Sequence, residues 1–536
     1  LLARATGSAR KPSIDHAIIP PASLASLTTP GTPAEGLTIR ILPPPIMMKQ
    51  LYYSGIALGS LLAATLLWQH SVQTQRANPS ALHPSAATFN PSSTSAQAAA
   101  AKPTPAPVAI ASPTPTPTPT PTLPVLPVDP QLQAAVDRYV DDLAGQGVDL
   151  SQQGVWVESS EGKSGGYQAD VALPVASLTK MATTLLALDR WSADYRFYTR
   201  IAATGPVVNG VLQGDLVVWG GGDPFYVWES AIALGNRLNE LGIREIQGNL
   251  VVDADRVFVM NFDRDRGWAG ELLRQAINSS LWNEEAAQQY SYMPEGTPAP
   301  EVKLQGEVVV RPVPNRDSLT ILVAQPSLPL VDLLKEMNKF SNNIMADLLA
   351  DILGGGAKLT TEVQALTDIP PDEINFINGS GLGPENQISA RGVCRILNVI
   401  AEHLEPQGFG LPDVMPIAAQ DAGTLDYRTL PTGTIAKTGT LWNVSTLGGL
   451  VPQGEMPADS LSSSTSACFA ILNQNGDLNF FRAEQEVLLA GIKEVLQTIP
   501  ATTAQSAQST AQSAQSANPA TPTFTAPAPS PTTTEN

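Results

Sequence analysis

Histidine is scarce in this chain of 536 residues: there are four, and His16, His70 and His83 lie in stretches without apolar periodicity. Only His403 stands in sequence able to fold, near the end of an apolar-periodic helix, where a structural role is expected. A two-histidine metal site inside a domain is thereby excluded, and a Ser-His-Asp triad would depend on His403 alone. Cysteine is scarcer still. Cys394 sits in a helical pattern and Cys468 opens a strand pattern. With no CxxC or zinc-finger spacing, no metal and no cofactor are expected, and the two thiols read as a buried free pair. Basic charge is also short, 31 Lys and Arg against 49 Asp and Glu, a net charge of −18. The excess acid lies in the foldable part, which argues against nucleic acid as a partner.

Proline is abundant and unevenly placed, with 47 residues that crowd largely into tracts. Residues 70–129 form a Pro/Thr-rich stretch with Pro-Thr repeats from Pro113 to Thr122, and 501–536 form a tail repeating Ala-Gln-Ser. Neither carries enough apolar surface to offset chain entropy, so both are expected to be disordered. The stretch from Pro103 to Pro127, in polyproline II, would act as a spacer of about 80 Å. Residues 51–68 are an almost unbroken apolar run after Met47-Met48-Lys49. This makes 47–69 a signal-anchor or signal peptide, and the absence of a nearby Ala-x-Ala site favours an uncleaved membrane anchor. Residues 1–46 look unfoldable and are expected to be untranslated or disordered, with translation starting at Met47 or Met48.

The block 130–500 is long enough to bury a large core. It has one strand pattern and a helix early, then three closely connected strands and a helix late. That order predicts an α/β (α+β) fold in which an antiparallel sheet is flanked by helices and carries a helical lobe. The transpeptidase-like domain would comprise 130–200 and 316–500. Between them, 201–315 changes to short strands with Gly and Pro turns and reads as an inserted, smaller, β-rich domain.

Three short elements follow one another in this block: Ser177-Leu-Thr-Lys180, Ser341-Asn342-Asn343 and Lys437-Thr438-Gly439. Each alone is weak, since Ser8-Ala-Arg-Lys11 and Ser516-Ala-Asn518 also fit two of the patterns. Their order and local context carry the argument. On a helix, positions i and i+3 share a face, so the Ser177 hydroxyl and Lys180 amine can touch. Desolvation and a second ammonium at Lys437 would lower the Lys180 pKa until it can act as a base. Ser341 can relay a proton, and Asn343 can hold a substrate amide. Thr438, Gly439 and Thr440 offer a strand edge and hydroxyls for a terminal carboxylate. The N–H groups of Ser177 and Thr440 would form an oxyanion hole.

The surroundings extend the pattern: Leu173-Pro-Val-Ala-Ser-Leu-Thr-Lys180, Asn338-Lys-Phe-Ser-Asn-Asn343, Asn378-Gly-Ser-Gly-Leu382, Ala436-Lys-Thr-Gly-Thr-Leu441, and Gly220-Gly-Gly-Asp-Pro224 in the insertion. Together they resemble the D-alanyl-D-alanine carboxypeptidases of the penicillin-binding protein 4 type, peptidase family S13. The resemblance implies a β-lactamase/transpeptidase-like fold and a periplasmic or otherwise extracytoplasmic location. It also implies removal of the terminal D-alanine from peptidoglycan stem peptides, endopeptidase action on cross-links, and acylation by β-lactam antibiotics at Ser177. Ser177 and Ser341 are 164 residues apart, less than the family's insertion usually occupies. Residues 262–315 read as a truncated remnant, with one inserted domain missing. Two other readings remain at this stage: a serine β-lactamase-like hydrolase, and a non-catalytic cell-wall-binding protein. The class A lactamases have a much shorter first spacing and a dedicated glutamate, neither of which is evident here.

Overall fold

The computed structural model describes residues 123–454 and 466–498. The segments expected at 1–46 and 47–69, the spacer up to residue 122 and the tail 501–536 lie outside the described residues. Among the described residues no helix is long and apolar enough to cross a membrane.

The end of the Pro-rich tract departs from expectation, because 123–129 belongs to the fold. Leu123 is buried in the same cluster as Trp156, and Leu126 packs against it. The Asp129 N–H donates to Ser164 O, and the Ser164 N–H donates to Pro127 O. Two leucines among prolines supply the apolar surface that the Pro-Thr repeats lack. The first helix, α1 (Pro130–Gly145), starts where the Asp129 carboxylate caps the N–H groups of Gln131 and Leu132, with Pro130 at the first helical position. Its stripe of Leu132, Val136, Tyr139 and Leu143 is buried.

The chain continues through β1 (Gln153–Glu158), β2 (Ser164–Tyr167) and α2 (Thr179–Arg190). After the insertion come α3 (Leu330–Lys339), α4 (Asn343–Leu353), α5 (Gly355–Thr367) and α6 (Ala390–Leu404). Then follow β3 (Ile435–Leu441), β4 (Val444–Pro452), β5 (Ser466–Gln474) and α7 (Leu478–Thr498). The five strands make one sheet in the order β3-β4-β5-β1-β2, antiparallel throughout. Side chains alternate between its faces. Val155, Val157, Phe469 and Ile471 pack with α1 and α7. Trp156, Cys468, Ala470 and Leu472 pack with α2 and α6. This is the mixed α/β architecture the sequence implied.

The cysteines are not a free pair: Cys394 on α6 and Cys468 on β5 form a disulfide. Each residue type fitted an apolar position on its own element. Only tertiary packing brings the two elements together, so the bond was not legible from spacing.

The insertion is more helical than the β-rich reading. Strands 308–311, 250–253, 216–219, 198–203 and 320–326 form a second five-stranded sheet in that order. The first three are parallel to one another and the last two pair antiparallel. Parallel neighbours need crossovers, which the helices Trp228–Glu240 and Arg266–Ala276 supply by packing on one face of the sheet. Strands 198–203 and 320–326 pair with each other and lie at or beyond the expected limits of 201 and 315.

Candidate active site

Three local structures converge at the β3 edge of the main sheet. Ser177 lies in a single 3₁₀ turn, Ala176–Leu178, that runs directly into α2. Ala176 just before it has φ +49, a left-handed backbone that costs a non-glycine residue about 1–3 kcal/mol. The loop that carries Gly381 lies directly against it. A Cβ on Gly381 would stand 1.8 Å from Ala176 O, so the two backbones touch where no side chain fits. Ser341 is itself left-handed, with φ +55, between the end of α3 and the start of α4. Asn342 is the N-cap of α4 and accepts from the Met345 N–H, 3.0 Å. The middle residue of Ser341-Asn342-Asn343 is thus a helix cap, and the residues on either side of it face the site. Lys437, Thr438, Gly439 and Thr440 all lie in β3, the edge strand. A Cβ on Gly439 would meet Thr446 Oγ1 at 2.1 Å and Val175 O at 2.5 Å, so only glycine lets the serine turn lie against this strand.

The side chains form two amine–hydroxyl pairs. Lys180 Nζ donates to Ser177 Oγ at 3.0 Å, Asn343 Oδ1 at 2.8 Å and Ser380 O at 2.8 Å. Lys437 Nζ donates to Ser341 Oγ at 3.0 Å and to Thr438 O at 2.7 Å. Both lysines are fully buried, whereas Ser177 and Ser341 are half-buried and Asn343 is exposed. The two hydroxyls are therefore partly open to solvent while the amines behind them are buried.

Burial sets the charge state. It pushes Lys180 down to about 7, against the pull of the Asp347 carboxylate, which favours the ammonium. Burial also holds Lys437 well below its usual value, and the nearby Lys180 charge lowers it further. Desolvation is thus the main cause for both amines, and each ammonium disfavours the other. An amine at this position is partly free near neutrality and can take a hydroxyl proton.

Asn343 turns its Oδ1 to Lys180, so the amide NH₂ is the group left for a ligand. Thr438 and Thr440 alternate to the face of β3 away from Lys437, Thr438 half-buried and Thr440 exposed on the edge strand. Every residue expected at the site is thus brought to one edge.

Two contributors were missed. The Ser380 carbonyl anchors Lys180, and Asp347 accepts from the Ser380 N–H at 2.8 Å. Asp347 stands four residues after Asn343 on α4, a same-face spacing that could have flagged it. Ser380 lies in a turn-rich Asn-Gly-Ser-Gly run whose side chains gave no hint that a backbone oxygen matters. His403 turns Nδ1–H to Val399 O and Nε2 toward Asp189, with no contact to these groups.

Comparison with known proteins agrees with this geometry. A sequence model of the D-Ala-D-Ala carboxypeptidase 3 (S13) family matches residues 132–276 and 299–481. The carboxypeptidase DacB of Mycolicibacterium smegmatis is 30% identical over 162 residues, covering 27% of this chain and 35% of the relative. D-alanyl-D-alanine carboxypeptidase DacB of Haemophilus influenzae is 32% identical over 113 residues, 21% of this chain and 23% of the relative. The chain thus spans about a third or less of the length of these curated relatives. Among solved structures, the penicillin G-acylated predatory endopeptidase Bd3459 of Bdellovibrio bacteriovorus, in complex with immunity protein Bd3460, superposes with a TM-score of 0.53. It is 26% identical, over 65% of this chain and 91% of that one.

Proposed function

The chain belongs to the D-Ala-D-Ala carboxypeptidase 3 (S13) family, and we propose that it removes the terminal D-alanine of peptidoglycan stem peptides through an acyl-enzyme on Ser177. The observation that carries this reading is the convergence of two buried amines on two accessible hydroxyls, each at 3.0 Å. The Lys180 amine takes the Ser177 proton as Oγ attacks the carbonyl of the penultimate D-alanine. The oxyanion forms against the N–H groups of Ser177 and Thr440, each such donor contributing about 3–4 kcal/mol. As the tetrahedral adduct collapses, the C–N bond breaks and Ser341, backed by Lys437, passes a proton to the leaving D-alanine amine. Water then attacks the acyl carbon and gives its proton back along the same route, freeing Ser177.

Asn343 and the β3 edge would hold the peptide, and Thr438, Gly439 and Thr440 its carboxylate end. β-Lactams would acylate the same oxygen. The similarity to a penicillin-acylated endopeptidase supports this, and also supports cleavage of cross-links as a second activity. A serine β-lactamase would use the same acylation parts but release the drug rapidly. A purely wall-binding protein would have no use for two lysines whose burial lowers their hold on the proton. The Cys394–Cys468 disulfide favours an oxidising, extracytoplasmic compartment, as do relatives named as carboxypeptidases. There 51–68 would anchor the chain to the membrane.

The test is labelling with fluorescent penicillin, with products from a pentapeptide and a cross-linked dimer resolved by mass. Stable labelling and D-alanine release, both lost in Ser177→Ala, are the expected result. Rapid penicillin hydrolysis without peptide cleavage would replace this reading with the lactamase.

A further inference from the structure

The substrate proposed above carries a free carboxylate one residue beyond the scissile bond, and the two lysines are poorly suited to recognise it. Their part in proton transfer requires them to lose charge, and Lys437 already donates to Ser341 and to Thr438 O. The net charge of the chain, −18, also opposes an anionic ligand. A permanent cation at the carboxylate end of β3 would resolve this.

One stands there. Helix α7 crosses the face of the sheet toward which Thr440 points. Arg482 on α7 extends its Nη2 to 3.5 Å from Thr440 Oγ1. Its other contact is neutral, Nη1 to Asn479 Oδ1 at 3.2 Å. Among the described residues Arg482 has no ion-pair partner, whereas Arg428 beside it is paired with Glu486.

The backbone beneath Arg482 is fixed from two sides. Arg428 Nη2 donates to Arg482 O at 3.2 Å and to Gln485 Oε1 at 2.9 Å. Gln485 Nε2 in turn donates to Ser445 O at 3.1 Å, and Ser445 is the residue paired with Thr440 across β3 and β4. The helix is therefore registered to the rung that holds Thr440. Arg482 is half-buried as a residue, and among the described residues its guanidinium makes only these two exposed hydrogen bonds and no ion pair.

We propose that Arg482 is the carboxylate-recognition residue, binding the terminal carboxylate of the stem peptide together with the Thr440 hydroxyl at the open edge of β3. A guanidinium presents two parallel N–H donors that match a carboxylate, and it stays charged at any pH at which Lys180 is a free amine. Thr440 orients the fork and the carboxylate closes it. The proposal rests on the carboxypeptidase reading.

The experiment compares diacetyl-L-Lys-D-Ala-D-Ala with its C-terminal amide in the wild type, Arg482→Gln and Arg482→Lys. Arg482→Gln should lower kcat/KM on the free carboxylate by about 10- to 100-fold, the span of a lost charge-assisted hydrogen bond. The loss should fall mainly on KM, with the amide unaffected, so that discrimination between the two collapses. Arg482→Lys should recover part of the loss, because it restores charge without the fork. An equal fall on both peptides, at an unchanged unfolding midpoint, would overturn the assignment, as would no fall on either. A wild type that releases neither D-alanine from the free acid nor D-alaninamide from the amide, and takes no penicillin label, would overturn the hydrolase reading itself, a result separable from any Arg482 outcome.

Discussion

Lys437 Nζ and Ser341 Oγ, 96 residues apart in sequence, lie 3.0 Å apart and repeat the distance between Lys180 Nζ and Ser177 Oγ. The site is thus two amine–hydroxyl pairs held side by side, and burial tunes both amines downward. The pairs differ in their backbones. Ser177 opens a long buried helix behind a left-handed alanine, whereas Ser341 is itself left-handed and has a helix cap as its next residue. In the proposed reaction the first oxygen forms the bond to the substrate and the second passes a proton.

The first prediction is a pH profile. Since Lys180 sits at about 7, the second-order rate constant for penicillin acylation should rise with pH, reach half its plateau near 7 and level off above it. Asp347→Asn removes the carboxylate that favours the ammonium, so the rising limb should move to lower pH. Labelling time courses between pH 5 and 9 read both, and a limb that stayed put in Asp347→Asn would refute the assigned coupling.

The same burial has a consequence for stability. Moving Lys180 from 10.5 to about 7 corresponds to roughly 5 kcal/mol against the folded state at low pH. Below 7 both states hold the proton and the penalty is fully present. Between 7 and 10.5 only the unfolded chain still binds it, so the penalty fades and stability rises with pH. Lys180→Met removes the effect. Its gain in unfolding free energy over the wild type should be largest near pH 6 and shrink toward pH 10, as read by denaturant melts. A gain independent of pH would contradict the burial argument.

Backbone contact at Gly381 yields a third prediction. A methyl group there meets Ala176 O at 1.8 Å in a backbone with φ +82, so Gly381→Ala must push the serine turn away from its place. Displacement of a nucleophile by about 1 Å lowers rates on the order of 100-fold, and acylation should fall by at least that. Gly145→Ala, where nothing lies within 4 Å, should change unfolding free energy by less than about 0.5 kcal/mol. Similar effects from the two would mean that the contact carries no function.

Much of this was legible in the sequence because the groups of the site are side chains on, or within two residues of, regular elements. Ser177 and Lys180 share a helical face, Lys437 and Thr440 lie on one strand, and the alternation of Val155, Trp156 and Val157 assigns both faces of the sheet. Backbone and tertiary effects were not legible. The Ser380 carbonyl carries no side-chain signature. The close approach of Gly381 to Ala176 joins backbones far apart in the chain and likewise carries no side-chain signature. In the insertion, the helix Trp228–Glu240 buries Trp228, Ala231, Ile232, Leu234 and Leu238, a helical stripe hidden among short Gly-bounded strands. The disulfide was invisible for the same reason, since the pairing of α6 with β5 is a property of the packed sheet.

That disulfide leads to the last prediction. Cys394 and Cys468 are 74 residues apart, and the loop they close contains the rest of α6 and the whole of β3 and β4. In the chain-entropy account, closing a loop of this length stabilises the fold by on the order of 4 kcal/mol. Both sulfurs sit in the core that joins sheet to helical lobe, so loss of the bond should loosen the strand bearing Lys437 relative to the helix bearing Ser177. Dithiothreitol should therefore lower the unfolding midpoint of the wild type and leave the double variant Cys394→Ala/Cys468→Ala unchanged at its lower value. At temperatures well below that midpoint the double variant should still take the penicillin label, because neither cysteine contacts a reacting group. Reductant that left the wild-type midpoint untouched, although mass analysis showed two free thiols, would mean that packing alone holds α6 to β5.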